Sequence, residues 1–293
     1  MRKWIFSVAL LILLIARLAG AAPETIVVSD IDDTIRKTQI QSRGAFFSHL
    51  INLMTHQAFT GMPTLYSFLA GNGATFHYVS GAPEMIRWFP QKFLLGTSFP
   101  AGPLSLRPSL SAVTLDFKVA TIEKLLREKP EARFVLIGDN GEYDVEVYER
   151  LKQNPEFAGR VMHTYIHKLY RSGPAADLRS GQQAYITSAE LALDLLKEQL
   201  ITAAQAEVVL RQVEASLAST SAGIRRRALP EFAAFTSKEL IEFYDRRHEQ
   251  TTPELRELVV KIAKLKNGFL APGDGIRDVF FHDQRRLCRQ VHY

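Results

Sequence analysis

The sequence predicts an α/β fold of three layers, a parallel sheet with helices on both faces, and three observations carry it. Short apolar runs rich in β-branched and aromatic residues recur at Thr25–Ser29, Thr75–Gly81, Arg133–Asp139 and Val161–Ile166. Patterns with helical spacing lie between them, at Met62–Ala70 and from Lys118 to a stop at Pro130. The first and third runs end abruptly in acids, at Asp30 and Asp139. Strands alternating with helices at this spacing build βαβ units, whose right-handed crossovers cover both faces of the sheet.

The elements follow in chain order. Arg2 and Lys3 precede an apolar stretch from Trp4 to Ala16, and Ala19-Gly-Ala21 offers small residues for cleavage, so residues 1–21 read as a secretory signal peptide. The expected location is secreted or periplasmic. The alternative is a membrane anchor left uncleaved, which the short apolar stretch and Arg17 disfavour. Ser48 to Phe59 reads as a short helix, and Met62 to Ala70 as a second one closed by Gly71-Asn-Gly73. Residues 88–114, punctuated by Pro90, Pro100, Pro103 and Pro108, read as an irregular surface loop. Lys118 opens the next helix, and another runs from Val145 to Lys152.

From Arg171 to Gln183 the composition turns to Ser, Gly, Pro and charge, which marks a boundary. Helical patterns follow. They run from Ser188 to Leu200 behind the capping box Thr187-x-x-Glu190, and from Ala203 to Leu217 behind Thr202-x-x-Gln205. Another follows Thr236-x-x-Glu239, and the last runs from Pro253 to Lys266. The expected organisation is a leader over 1–21, a Rossmann-like domain without a large cap over 22–170, and a linker with a helical appendage over 171–293.

Charge and cysteine content narrow the function. Removing Arg2, Lys3 and Arg17 brings 36 basic residues to 33 against 31 acids, a net of about +2, so nothing points to nucleic acid. The single cysteine, Cys288, leaves no intrachain disulfide, so the core alone stabilises the fold.

Chemistry concentrates where the apolar runs stop. Asp30, Asp32 and Asp33 crowd the end of the first run, and packing carboxylates this closely is unfavourable unless a cation or shared proton offsets their repulsion. Ser80 closes the second run, Lys118 opens the following helix, and Asp139 and Asp144 follow the third run. These types suit phosphoryl transfer, which needs a nucleophile, a proton donor, positive charge on the phosphoryl oxygens and a metal to spread developing charge.

This ordered set resembles the haloacid dehalogenase-like phosphatases. Their Asp-x-Asp-x-Thr motif is matched by Asp30-Ile-Asp32-Asp-Thr34, their Ser or Thr by Ser80, their Lys by Lys118 and their acid pair by Asp139 and Asp144. A narrower set of segments is similar to the catalytic domain of the fungal actin-patch phosphatidate phosphatases and their bacterial relatives. It comprises Ser29-Asp-Ile-Asp-Asp-Thr-Ile35, Gly61-Met-Pro63-x-x-Tyr66, Phe76-His-Tyr-Val-Ser-Gly81, Gly102-Pro-Leu-x-Leu-Arg107 and Leu136-Ile-Gly-Asp-x-Gly-Glu142. The chain departs from that family at Ala82-Pro-Glu84, where the family has Ser-Pro-Trp, and at Asn140, where it has Ser.

The resemblance implies that Asp30 attacks phosphorus and that Asp32 serves as general acid and then base. It implies Mg²⁺ held by Asp30, the Asp32 carbonyl and Asp139 with Asp144 in support, and phosphate bound by Ser80, Gly81 and Lys118. The implied substrate is a phospholipid or another phosphomonoester, with peripheral contact to a membrane surface and phosphatidate as first choice. A phosphatase of soluble phosphomonoesters or phosphopeptides, and a non-catalytic phospholipid-binding module, stand as alternatives.

Structural roles compete with these. Asp144 could be a helix N-cap, Asp33-Thr34 could cap a helix, and Ser80 could simply end a strand. Arg36 and Arg107 are candidate phosphate contacts, and Arg225-Arg-Arg227 a candidate lipid-headgroup contact, against the commoner solvated role. His163 and His167 lie in a strand, where their spacing does not favour a metal site. Met85, Ile86, Trp88, Phe89, Phe93, Leu94, Leu95 and Phe99 either pack their loop or reach a membrane interface.

Overall fold

The computed structural model describes residues 23–38, 57–170, 177–230, 233, 235, 247 and 251–269. Its strands are β1 (Thr25–Ser29), β2 (Thr75–Pro83), β3 (Leu104–Arg107), β4 (Arg133–Asp139), β5 (Met162–His167) and β6 (Gln182–Tyr185). They form one parallel sheet in the order β3-β2-β1-β4-β5-β6. The helices are α1 (Met62–Gly71), α2 (Trp88–Gly96), α3 (Thr114–Glu128), α4 (Asp144–Gln153), α5 (Ser188–Lys197), α6 (Ala203–Ala218), α7 (Ala222–Ala228) and α8 (Pro253–Asn267).

Side-chain alternation along the central strands builds the three layers. Ile26 and Val28 of β1, with Phe134 and Leu136 of β4, pack in one cluster with Ile122 and Leu126 of α3 and Val145 and Tyr148 of α4. Val27, Val135 and Ile137 point the other way, into a second cluster with residues of α1, α2, α5, α6 and α8. Both faces are covered, which is why these strands read as continuous apolar runs. Each buried Val, Ile or Phe here contributes roughly 1.5–3 kcal/mol of transfer free energy.

The strand order also positions the site. The chain runs outward from β1 through β2 to β3, then returns to β4 on the other side of β1, opening a crevice where the direction reverses. Asp30 follows β1 and Asp139 ends β4, so both acids reach the crevice at the carboxyl edge. The Asp30 amide donates to the Ile137 carbonyl at 2.9 Å, extending the β1–β4 pairing to the residue that matters.

Residues 88–114 correct the expected loop, since they hold α2 and β3. Pro90 sits in the first turn of α2, where its missing N–H leaves no bond unmade, and Pro100, Pro103 and Pro108 flank β3 without interrupting it. Helix α3 begins at Thr114, so Lys118 stands a full turn inside it and does not open it. The sheet also continues past residue 170: β6 begins at the end of the stretch read as a boundary and pairs with β5. The expected leader over 1–21, most of the expected helix from Ser48, and the one after Thr236 lie outside the described residues.

The helical region beyond β6 joins the same core through Val209, Leu210, Leu258 and Ile262. Two buried ion pairs fasten it. Arg247 bonds Asp194 of α5 at 2.9 and 2.5 Å and the Ala184 carbonyl of β6 at 2.8 Å. Lys266 of α8 pairs with Glu190, which also completes the capping box with Thr187. Among the described residues, no helix is long and apolar enough to cross a membrane.

Candidate active site

The residues singled out by sequence meet around one ammonium group. Lys118 Nζ lies 2.8 Å from Asp30 Oδ1 and 2.6 Å from Asp144 Oδ1, and all three side chains are almost wholly buried. Helix α3 carries Lys118 to the crevice with Ile122 and Leu126 buried one and two turns further along. Thr34 Oγ1 is 3.1 Å from both Asp30 Oδ2 and Asp139 Oδ2, so one hydroxyl spans the acids of β1 and β4. The Asp139 amide donates to Asp144 Oδ2 at 3.2 Å, and the Gly141 amide to Asp139 Oδ1 at 2.5 Å.

Asp144 is therefore no helix cap. It is the first residue of α4, Tyr143 occupies the cap position without a side-chain bond, and both Asp144 oxygens are spent on Lys118 and the Asp139 amide. Gly138 makes the approach possible, because a Cβ there would sit 2.5 Å from Asp144 Oδ2.

Asp30, Asp139 and Asp144 each offer an oxygen within 4.8 Å of the others, a grouping able to hold a metal ion. Burial pushes the Asp30 carboxyl well above the carboxylate range, Lys118 opposes, and Asp144 and Asp32 add to the rise. Asp139 is pushed well up by burial and by Asp144 and Asp30. Burial pulls Lys118 down, yet Asp144 and Asp30 outweigh it and hold the ammonium well above its ordinary value. Three buried carboxylates facing one ammonium remain ionised together only with further positive charge. Hard oxygen donors suit a divalent cation of the Mg²⁺ class.

Asp32 stands beside this group and is held separately. Arg36, fully buried, donates from Nε to Asp32 Oδ1 at 2.9 Å and from Nη2 to the same oxygen, and lies 5.4 Å above the Phe93 ring. That changes the expectation for Arg36 as a phosphate contact: its charge is directed at the candidate acid–base residue. Asp33 is a turn residue at φ 59°, held by Tyr170 Oη at 2.6 Å and by the Thr38 amide at 2.8 Å.

Ser80 does not close its strand: β2 runs on to Pro83, and Ser80 pairs with Leu106 of β3 just before a register shift, almost fully buried, with its Oγ accepting the Ala82 amide at 3.1 Å. Gly81 lies where a Cβ would come 2.8 Å from Thr114 Cγ2 and 3.1 Å from Glu142 Oε2, so the exit of β2 touches α3 and the β4–α4 loop. Arg107 ends β3, half-buried, and donates to the Ala112 carbonyl at 3.1 Å. Arg225, Arg226 and Arg227 close the last turn of α7, and the Arg227 carbonyl accepts the Thr60 amide at 2.9 Å, just before α1.

Sequence reasoning passed over two contributors. Thr34 was visible only as a motif letter. Glu142 is half-buried near Lys118, and burial raises its carboxyl above the usual value. Asn140 looked like a departure near the phosphate site, but it serves the fold. Its Oδ1 accepts the Leu169 and Tyr170 amides at 2.8 and 3.0 Å, and its Nδ2 donates to the Tyr170 carbonyl at 2.6 Å. His167 is structural too, with ring nitrogens 2.9 Å from the Asp33 carbonyl and 3.0 Å from that of Ile186.

Comparison with known proteins bears on this constellation. Residues 25–168 match the family model described as "Phosphatidate phosphatase APP1, catalytic domain". That region of the chain resembles the APP1 catalytic domain. Phosphatidate phosphatase APP1 of Saccharomyces cerevisiae is 27% identical over 150 residues, covering 48% of this chain and 25% of the yeast protein. An uncharacterized protein of Schizosaccharomyces pombe is 26% identical over 149 residues, covering 48% of this chain and 24% of its own. The chain spans about a quarter of the length of these curated relatives. A solved structure titled "Crystal Structure Analysis of the Glycotransferase of kitacinnamycin" covers 72% of this chain at 11% identity and a TM-score of 0.26, too slight a likeness to bear on the site. The matched region runs from the start of β1 to just past β5 and takes in Asp30, Asp32, Ser80, Gly81, Lys118, Asp139 and Asp144. The haloacid dehalogenase-like assignment is consistent with it.

Proposed function

We propose that the chain is a Mg²⁺-dependent phosphatase that hydrolyses a phosphomonoester, most favourably phosphatidate, releasing diacylglycerol and phosphate. The observation that carries this reading is the Lys118 ammonium held between Asp30 and Asp144 at the carboxyl edge of the sheet, inside the region that matches the phosphatidate phosphatase domain. A binding module has no use for a nucleophile, an acid two residues away and a buried cation in one crevice.

In this reading the Asp30 carboxylate attacks phosphorus in line and forms an aspartyl-phosphate while the P–O bond to the alcohol breaks. Asp32 delivers a proton to the departing alkoxide and then takes one from the water that hydrolyses the acyl phosphate. Lys118 opposes the burial that favours the protonated nucleophile and balances the phosphoryl charge. Ser80, with the backbone at Gly81, receives the phosphoryl oxygens. Thr34 fixes the facing oxygens of Asp30 and Asp139. Asp30, Asp139 and the Asp32 carbonyl, with Asp144 in support, would hold Mg²⁺, which supplies charge neutralisation on the phosphoryl group.

The short insertions favour a substrate that brings its own bulk, because neither is long enough for a full cap. The leader expected over 1–21 directs the enzyme outside the cytoplasm, to the periplasm or medium. Phosphate release is to be measured with Mg²⁺ and with EDTA on dispersed phosphatidate, lysophosphatidate, a sugar phosphate and a phosphopeptide. Mg²⁺-dependent turnover that prefers the two lipids is expected. Preference for the phosphopeptide or sugar phosphate would transfer the assignment to soluble phosphomonoesters, and no turnover on any would overturn it.

A further inference from the structure

Ten large apolar side chains stand exposed among the described residues, and five of them share one edge of the sheet. Met85 and Trp88 follow β2, Leu110 and Val113 follow β3, and Tyr143 follows β4, with exposures of 74, 53, 67, 58 and 40%. In a parallel sheet these three connections leave the same edge as Asp30. Leu95, at the far end of α2, and Val161, before β5, are exposed elsewhere.

The three connections are held in place. Arg87 bonds Glu84 at 2.8 Å and the Leu104 carbonyl at 3.0 Å, tying the turn after β2 to β3. Arg107 holds the Ala112 carbonyl at 3.1 Å, fixing the loop that carries Leu110 and Val113. The close approach at Gly81 joins the exit of β2 to α3 and to the loop that carries Tyr143. Neighbouring apolar residues of the same insertion, Phe89, Phe93, Leu94 and Phe99, are buried. Packing therefore accounts for those four and leaves the tips at Met85 and Trp88 turned outward.

We propose that this edge seats on a phospholipid bilayer, with Met85, Trp88, Leu110 and Val113 entering the headgroup region around the crevice. The proposal rests on the lipid-phosphatase reading above. These apolar tips stand on three separate connections at the same edge of the sheet as the polar crevice. A protein partner on this edge would close the crevice, whereas a bilayer delivers a phosphate headgroup into it. Tryptophan and tyrosine, apolar rings with a polar atom, settle at that boundary.

The test uses the two tryptophans of the chain, Trp4 and Trp88. In the full chain carrying Trp4→Phe, Trp88 is the sole reporter, whatever the N-terminal segment does. Phosphatidylcholine vesicles doped with phosphatidylglycerol should shift its emission to the blue, and lipids brominated high on the acyl chain should quench it. Indifference of Trp88 to vesicles overturns the proposal. The double variant Met85→Ser/Leu110→Ser, with its melting temperature as the check on folding, should lower the ratio of vesicle to soluble-phosphomonoester turnover on the order of tenfold. An equal drop from Leu95→Ser/Val161→Ser overturns it. So does a concentration-dependent dimer that the first pair abolishes without any vesicle effect, which would give the edge to a second copy. If no phosphomonoester is turned over, the functional reading fails, while Trp88 quenching still decides docking.

Discussion

Buried charge occurs in two regions of this molecule, and the two are balanced differently. Among the described residues of the helical region, the two buried cations each face an acid, Arg247 with Asp194 and Lys266 with Glu190. At the carboxyl edge of the sheet, Lys118 is set among Asp30, Asp139 and Asp144, and the acids outnumber it. One-to-one pairing fastens these elements, Arg247 to α5 and β6 and Lys266 to α5, with burial pushing the Lys266 ammonium well below its ordinary value. An unmatched group is a standing demand for a cation and for a substrate that tolerates it. The surplus of acid, more than the burial, separates a reactive centre from an internal fastening.

The sharpest way to break this contrast is to remove one acid from each region. Asp30→Asn should lower phosphate release on the order of a thousandfold or more while the melting temperature holds or rises, since it relieves repulsion. Asp194→Ala should do the reverse. It strands Arg247 without its carboxylate and should cost about 3–5 kcal/mol of stability by urea denaturation. Equal destabilisation by the two would show that the edge acids are structural.

A smaller effect comes from the missing charge. Mg²⁺ at about a hundred times its dissociation constant should stabilise the chain by about 2.7 kcal/mol, and Asp139→Asn should abolish the gain. A thermal melt with and without EDTA measures it, and a gain retained in the variant would move the metal elsewhere.

The smallest expected effect is on pH. Burial pushes His167 down to about 4, against the pull of the two carbonyl oxygens facing its ring. Its folded value lies below its unfolded one, so its contribution is present above the ordinary histidine range and fades as pH falls toward 4. Asp30 and Asp139, raised in the metal-free chain, act oppositely: their contribution is present in acid and is lost as pH rises through their folded values. The two partly cancel, so the net slope is shallow. The urea midpoint difference between the chain and His167→Gln, measured in EDTA at pH 7 and pH 5, isolates the histidine. It should shrink in acid, and growth would mean that the carbonyls hold the imidazolium.

Much of this was legible in the residues themselves. Central strands are covered on both faces, so β1, β2, β4 and β5 stand out as apolar runs, whereas β3 (Leu-Ser-Leu-Arg) and β6 (Gln-Gln-Ala-Tyr) are short and mixed because each borders only one neighbour. Prolines hid α2, since Pro90 occupies the one turn where a helix tolerates it. Asp30, Lys118, Asp139 and Asp144 were marked by their place after strands or in a helix, and the structure gathers them. The roles of Arg36 and Asn140 were not readable, because each depends on what lies across space: a carboxylate on the same turn for one, the tail of β5 for the other.

The last strand has a practical corollary. The match to the APP1 catalytic-domain model stops at residue 168, but the hydrogen-bonded ladder does not, for β6 shields the flank of β5 and Arg247 clasps β6 in turn. Trimming the gene where the familiar region ends would strip a neighbour from β5 and lay bare a row of amides and carbonyls, an invitation to stick to other copies.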